Sequence, residues 1–236
     1  PSAEFLSLSY DKVIANNLTH RYYCCDVMEK DSLTVKILEW ENPSSCMIFC
    51  NKKRDVSYLE QVLHNQGFNV AALSGDVAQK QREKTLENFR KEKLNILICT
   101  DVAARGIDVS HVTHVIIFDH PEDREVYVHR SGRTARAGKT GVAISLITPV
   151  EEIEIQKTAA DFGIHFEKMP PITDEMLNEK IGMRLLENLE QQKNLLGPLD
   201  RQRLSRYLPL VDNMVQDKYL KESLCFLLDS FLKKRI

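Results

Sequence analysis

The sequence has no apolar run approaching the roughly 20 residues that cross a bilayer, so no membrane association is expected. It opens on "PSAEFLSLSY", which has neither a basic leader nor a long apolar stretch and reads as no signal peptide. A start without Met reads as a fragment or a processed chain. No two of the six cysteines are spaced as CxxC, which argues against a zinc site, and six in 236 residues do not make a disulfide scaffold. Buried reduced thiols, and with them a cytoplasmic protein, are the simpler reading. The balance of charge is −2, so the chain is not globally basic, and a nucleic-acid site must be a local arrangement of Lys and Arg. Phosphate-loop spacing is missing too. "GKTG" at residues 138–141 imitates its lysine end, but the required glycine five places before Gly138 is Arg133, and Gly132 stands one position too early. Such a loop works by aiming consecutive backbone N–H groups at phosphates, and a one-residue shift defeats it.

What is present is an ordinary globular composition, 43% hydrophobic and 28% charged, enough for a real core. Six short runs, "HRYYCCDV", "CMIFCN", "NVAALSG", "NILICTD", "HVIIFD" and "GVAISLIT", are rich in β-branched or aromatic residues. Several lack polar alternation, as strands buried on both faces do. Amphipathic stretches lie between them. Val56, Leu59, Val62 and Leu63 recur at helical spacing before a capping Gly67, Leu86 and Phe89 share a face, and Pro121 precedes an acidic helix start. The alternation predicts an α/β domain with a mainly parallel sheet and right-handed crossovers. Ligands meet such sheets at the strand C-termini, where Asn51-Lys52-Lys53, Ser74-Gly75-Asp76 and Thr100-Asp101 fall.

The arginines that spoil the phosphate loop then need explaining. In "HRSGRTAR", Arg133 and Arg136 are three apart and are expected on one side of a helical turn, where two forked guanidiniums suit a phosphate. Taken alone, RxxR reads more simply as solvated arginines or arginines bonded to carboxylates within the fold. Two further segments favour the phosphate. In "TDVAARGIDV", Gly106 lets the backbone approach a ligand and Asp108 offers a carboxylate to hydroxyls such as those of a ribose. "SGDVAQKQREKTLENFR" joins a glycine turn to a helix start carrying Gln81 and Arg82.

In this order, "MIFCNKK", "SGDVAQKQRE", "ICTDVAARGIDV" and "HRSGRTARAG" resemble motif IV, the RNA-contacting turn and helix, motif V and motif VI of the second RecA-like domain of DEAD-box RNA helicases. The resemblance runs from about residue 20 to 168, and His129 at the head of motif VI is similar to DEAD-box proteins. It implies that Arg133 and Arg136 are arginine fingers and that His129 couples this domain to the one before it. It also implies that Asp108 and Gly106 serve the ATP ribose side, and that Asn51, Gly75, Arg82 and Thr100 contact the RNA backbone. ATP and Mg2+ would be held mainly by an N-terminal RecA-like domain, because this chain has neither GxxxxGK[ST] nor Asp-Glu-Ala-Asp. Lys52 stands where the family carries Thr, and Ala135 replaces a common Gly, a change expected to matter little.

The organisation that follows is a linker over 1–19, a RecA-like domain over 20–169 and a helical extension over 170–236. Pro170-Pro171 mark the change, after which Leu-rich periodicity predicts two or three helices and no strand. Some 65 residues are too few to bury Leu185, Leu186, Leu189, Leu208, Leu210, Val211, Met214, Leu220, Leu224, Leu227, Leu228, Phe231 and Leu232 by themselves. These stripes either pack on the α/β domain or form a dimer surface, and their pattern is similar to the dimerisation segment of some bacterial DEAD-box proteins. The function implied is the C-terminal half of an ATP-dependent RNA helicase, dimeric through its tail. The alternative is a non-catalytic RNA-binding or assembly module.

Overall fold

A computed structural model describes residues 17–75, 77–105, 107 and 111–233. Two compact units divide at residues 172 and 173. In the first, β1 (Leu18–Cys24), β2 (Cys46–Phe49), β3 (Val70–Leu73), β4 (Ile96–Cys99), β5 (His114–Ile117), β6 (Gly141–Ile147) and β7 (Phe166–Lys168) form one sheet. The strand order is β3-β4-β2-β5-β6-β1-β7, and every pair is parallel. This is the RecA-like α/β architecture, with β2 and β4 buried at every residue as their unalternating sequences require. The helices are α1 (Lys30–Glu41), α2 (Lys53–Asn65), α3 (Gln79–Arg90), α4 (Asp101–Ala104), α5 (Arg124–Ser131) and α6 (Glu152–Phe162).

Met47, Phe49, Leu97, Cys99, Val115 and Ile117 of the central strands pack with Leu86 and Phe89 of α3 and Tyr127 and Val128 of α5 in the main core. The end of α2 shows how local sequence sets an element. Gly67 takes φ 89°, its N–H reaches the His64 carbonyl at 3.0 Å, and the Phe68 N–H reaches Leu63 at 3.1 Å. The same two residues, Phe68 and Leu63, are buried, which completes a Schellman closure.

Several expectations are corrected. β7 is three residues of "FEK" without an apolar run and gave no periodic signal. α5 begins at Arg124, three residues after Pro121, because the Asp123 carboxylate accepts the Glu125 N–H at 2.9 Å and caps the helix there. Arg133 and Arg136 do not share a helical turn: α5 ends at Ser131, and Ala135 between them is left-handed at φ 55°. That conformation costs an alanine about 1–2 kcal/mol, so the Gly-to-Ala change does have an energetic consequence. Its neighbour Thr134 anchors the turn by donating its hydroxyl to the Val112 carbonyl at 2.6 Å.

The second unit holds α7 (Asp174–Asn194), α8 (Pro198–Ser205), α9 (Leu208–Gln216) and α10 (Lys218–Lys233), four helices where two or three were expected. The additional break divides α8 from α9 at Arg206-Tyr207, where Pro209 opens α9 without an N–H to continue the helix before it. Asp217, between the second and third apolar groups, is extended, and its carboxylate accepts the Tyr219 N–H at 2.8 Å and the Leu220 N–H at 3.2 Å, capping α10. Leu186, Leu199, Leu208, Leu210, Leu227 and Leu228 are all exposed. Exposed too is Cys225, unlike the buried Cys46, Cys50 and Cys99. Among the described residues no helix is long and apolar enough to cross a membrane.

A buried imidazole makes this fold acid-sensitive. His20 is 5% exposed, its Nδ1 lies 2.7 Å from the Tyr127 hydroxyl, and burial lowers its pKa from 6.5 to about 4. The unfolded chain takes up this proton near pH 6.5 and the folded chain near 4, so the contribution is complete above 6.5 and is lost as pH falls through that window. Urea unfolding at stepped pH should show up to about 3 kcal/mol lost between pH 6.5 and 4, and His20→Gln should flatten the slope. An unchanged slope in that variant would rule out His20 as its source.

Candidate functional site

Because all strands are parallel, their C-terminal ends share one edge of the sheet, and the polar segments of the sequence collect there. Asn51 follows β2, Gly75 lies just beyond β3, and Thr100 follows β4, with β3, β4 and β2 adjacent. Thr100 is buried and forms the N-cap of α4. Gly75 is exposed, and a Cβ added there would lie 3.7 Å from the Lys53 ammonium nitrogen, which places that cation beside the turn.

The organising residue of this edge is Arg130, 2% exposed on the sheet-facing side of α5 with Tyr127. Its guanidinium bonds both Asp101 carboxylate oxygens, at 2.8 and 2.7 Å, the Asp119 carbonyl at 2.7 Å and Asn51 Oδ1 at 2.7 Å. It also lies over the Phe49 ring, 5.6 Å from the centroid. Asn51 completes the knot: its backbone N–H bonds Asp119 Oδ2 and its Nδ2 bonds the His120 carbonyl, both at 3.0 Å. The carboxamide expected to touch RNA is therefore engaged within the domain. Asp101 and Asp119 were not singled out as site residues in the sequence. The available signal was the i, i+3 spacing of Tyr127 and Arg130, which turns that arginine inward.

The predicted nucleotide-side residues fall in part together. His129, exposed on α5, and Arg133, just past its end, line one cleft of about 310 Å³ with Asp101, Ala104 and Arg105. Arg133 Nη1 donates to the Ile107 carbonyl at 2.9 Å. Arg136, beyond the left-handed Ala135, folds its Nε back to the Gly132 carbonyl at 3.0 Å. Gly106 and Asp108 lie outside the described residues. Arg82 of α3 donates Nη2 to the Ala103 carbonyl at 2.7 Å. Chemically, the edge offers guanidiniums suited to phosphate oxygens. Among the described residues no three His, Cys, Asp or Glu side chains gather to hold a metal ion.

The cost of removing Arg130 tests the knot. Arg130→Ala strips a partner from Asp101 and leaves the Asn51 and Asp119 acceptors without their donor. With Asp101 partly solvated, the expected loss is about 3 kcal/mol, the low end for breaking a buried pair. Asp101→Asn should cost at least as much, because it leaves the buried guanidinium without its counter-charge. A shift in urea-unfolding free energy below about 1 kcal/mol for Arg130→Ala would contradict the arrangement.

The chain matches the Helicase conserved C-terminal domain over residues 29–138. It is 35% identical over 195 residues to the DEAD-box ATP-dependent RNA helicase CshA of Geobacillus kaustophilus, covering 81% of this chain and 42% of that protein. It spans about two fifths of the length of the curated relatives it matches. Among solved structures it is similar to the E. coli DEAD-box protein SrmB bound to regulator of ribonuclease activity A, with 34% identity and a TM-score of 0.60, over 67% of this chain and 93% of that one. It is also similar to S. cerevisiae Dbp5 bound to RNA and ADP BeF3, with 28% identity and a TM-score of 0.62, over 70% and 46%. With the parallel sheet, the knotted C-terminal edge and these likenesses together, the chain belongs to the DEAD-box protein family and carries its helicase C-terminal domain.

Proposed function

We propose that this chain is the C-terminal half of an ATP-dependent RNA helicase, supplying one side of an ATP site that an N-terminal RecA-like domain completes. The observation that carries this reading is the juxtaposition of His129 and Arg133 on one cleft, on the same sheet edge as Gly75, Thr100 and Arg82. Nucleotide-facing and RNA-facing residues are thereby tied to one rigid border. Similarity to Dbp5, solved with RNA and ADP BeF3, supports both ligands.

Arg133 would act as an arginine finger, offsetting charge that develops on the γ-phosphate, a contribution worth about 10³–10⁵ in rate. Arg136 would join it once released from the Gly132 carbonyl. ATP binds through the other domain, where Mg2+ would neutralise phosphate charge, and Asp108 with Gly106 would meet the ribose. His129 would sense that domain across the cleft. The RNA contacts at Gly75, Thr100 and Arg82, with Asn51 acting through its backbone knot, address phosphate and sugar and carry little sequence information. Hydrolysis then requires closure of two domains, and closure clamps RNA.

The exposed apolar residues of α9 and α10 support a homodimer through residues 170–236. An assembly role for this segment is the reading retained beside catalysis. Six free cysteines suit the reducing cytoplasm.

Arg133→Ala in the full-length protein should lower RNA-stimulated ATPase by about 10³-fold while RNA affinity stays within a few-fold. Retention of turnover would overturn the finger assignment. In sedimentation, the chain should run as a dimer and a 1–169 truncation as a monomer. Monomers in both cases would remove the dimer proposal.

A further inference from the structure

Four of the six large apolar side chains exposed among the described residues of the first unit are Val27, Met28, Val150 and Ile153. They stand together. Val27 and Met28 follow β1, while Val150 and Ile153 follow its neighbour β6. The Cys25 N–H carries the pairing of those strands one step further, to the Ile147 carbonyl at 2.9 Å. Lys30 then ties the two loops, with its ammonium 3.7 Å from Glu151 Oε2 and donating to the Phe118 carbonyl at 3.1 Å.

Each loop is also fixed within itself. The Glu29 N–H reaches the Asp26 carbonyl at 3.0 Å, and Glu151 Oε2 accepts the Thr148 N–H at 2.7 Å and its hydroxyl at 2.9 Å. Side chains on turns so well bonded have no ready way to withdraw from water, and Met28 is 88% and Val150 81% exposed. An exposed apolar cluster rimmed by charge marks a docking surface.

The rim says what kind of partner fits. Residues 26–32 and 148–154 carry six carboxylates, Asp26, Glu29, Asp31, Glu151, Glu152 and Glu154, and one cation, Lys30, which is buried. Glu152 and Glu154 are met by Lys168 and Lys157, so the outward charge is concentrated at Asp26 and Glu29, exposed on either side of Val27 and Met28. That rim repels phosphate and suits neither RNA nor an anionic membrane. A second copy fits no better, because a two-fold contact sets the patch against itself and brings acid to acid.

We propose that Val27, Met28, Val150 and Ile153 form a docking surface for a partner protein presenting an apolar segment flanked by Lys or Arg. β1 lies three strands along the sheet from β2, and no residue of the patch lines the cleft of His129 and Arg133. The partner therefore sits beside that cleft without filling it. This goes beyond the helicase reading.

The experiment selects from a displayed library of random peptides on the full-length protein, with counter-selection on Met28→Asp/Ile153→Asp. Surviving peptides should carry apolar residues beside Lys or Arg, and a leading one should lose about tenfold in affinity on Asp26→Lys/Glu29→Lys. Acidic survivors, or none, overturn the proposal. Should the double aspartate variant unfold, Val27→Ser/Val150→Ser repeats the counter-selection. RNA-stimulated ATPase and sedimentation of the counter-selected variant should both match the wild type. Lost ATPase would assign the patch to the N-terminal domain and lost dimer to a second copy, and either result overturns the assignment to a partner protein.

Discussion

A guanidinium sealed from water is tolerated only when nearly all its donors are met, since an unpaired buried charge costs several kcal/mol. Arg130 satisfies that demand with acceptors drawn from the ends of three neighbouring strands: Asn51 after β2, Asp101 after β4 and Asp119 after β5. Each acceptor is held in turn by the strand it terminates. The cation therefore acts as a gauge of the whole C-terminal edge, because the strand ends must reach their relative places for the charge to be neutralised. The cleft containing His129 and Arg133 is built on that gauge, since Arg130 and Asp101 line it themselves.

Much of this was legible from residue types. Unalternating runs such as "CMIF" and "ILIC" announced strands buried on both faces, and the strand–helix alternation placed Asn51, Gly75 and Thr100 at the strand C-termini before any coordinates. The losses have physical causes. β7 is three residues, two of them charged, and carries no period to read. The start of α5 was a competition between Pro121 and Asp123 that only the realised cap could settle. Arg133 and Arg136 were three apart in sequence, but a left-handed residue intervenes, and φ > 0 at an alanine is invisible to a helical wheel. Commitment of the Asn51 side chain to Arg130 also lay beyond reach, since it depends on a contact 79 residues away.

The helical unit shows the opposite pattern. Its helices were expected from leucine spacing, and their breaks at Gly197-Pro198 and Asp217 follow ordinary capping rules. The number of helices was misjudged because α8, which carries no leucine stripe of its own, is cut from α9 at Arg206-Tyr207 just before Pro209. Apolar residues remain exposed on both helices, which matches the size argument that so short a segment cannot enclose its own stripes.

The loop after β5 has one further property. Its three successive carbonyls are each taken by a side chain from a different element: Phe118 by Lys30 at 3.1 Å, Asp119 by Arg130 at 2.7 Å and His120 by Asn51 at 3.0 Å. A segment stitched at three successive residues is a poor hinge, since bending it would break three bonds, two of them charge-assisted. The side chains that project from this edge therefore keep their spacing, because the backbone beneath them is held at successive residues.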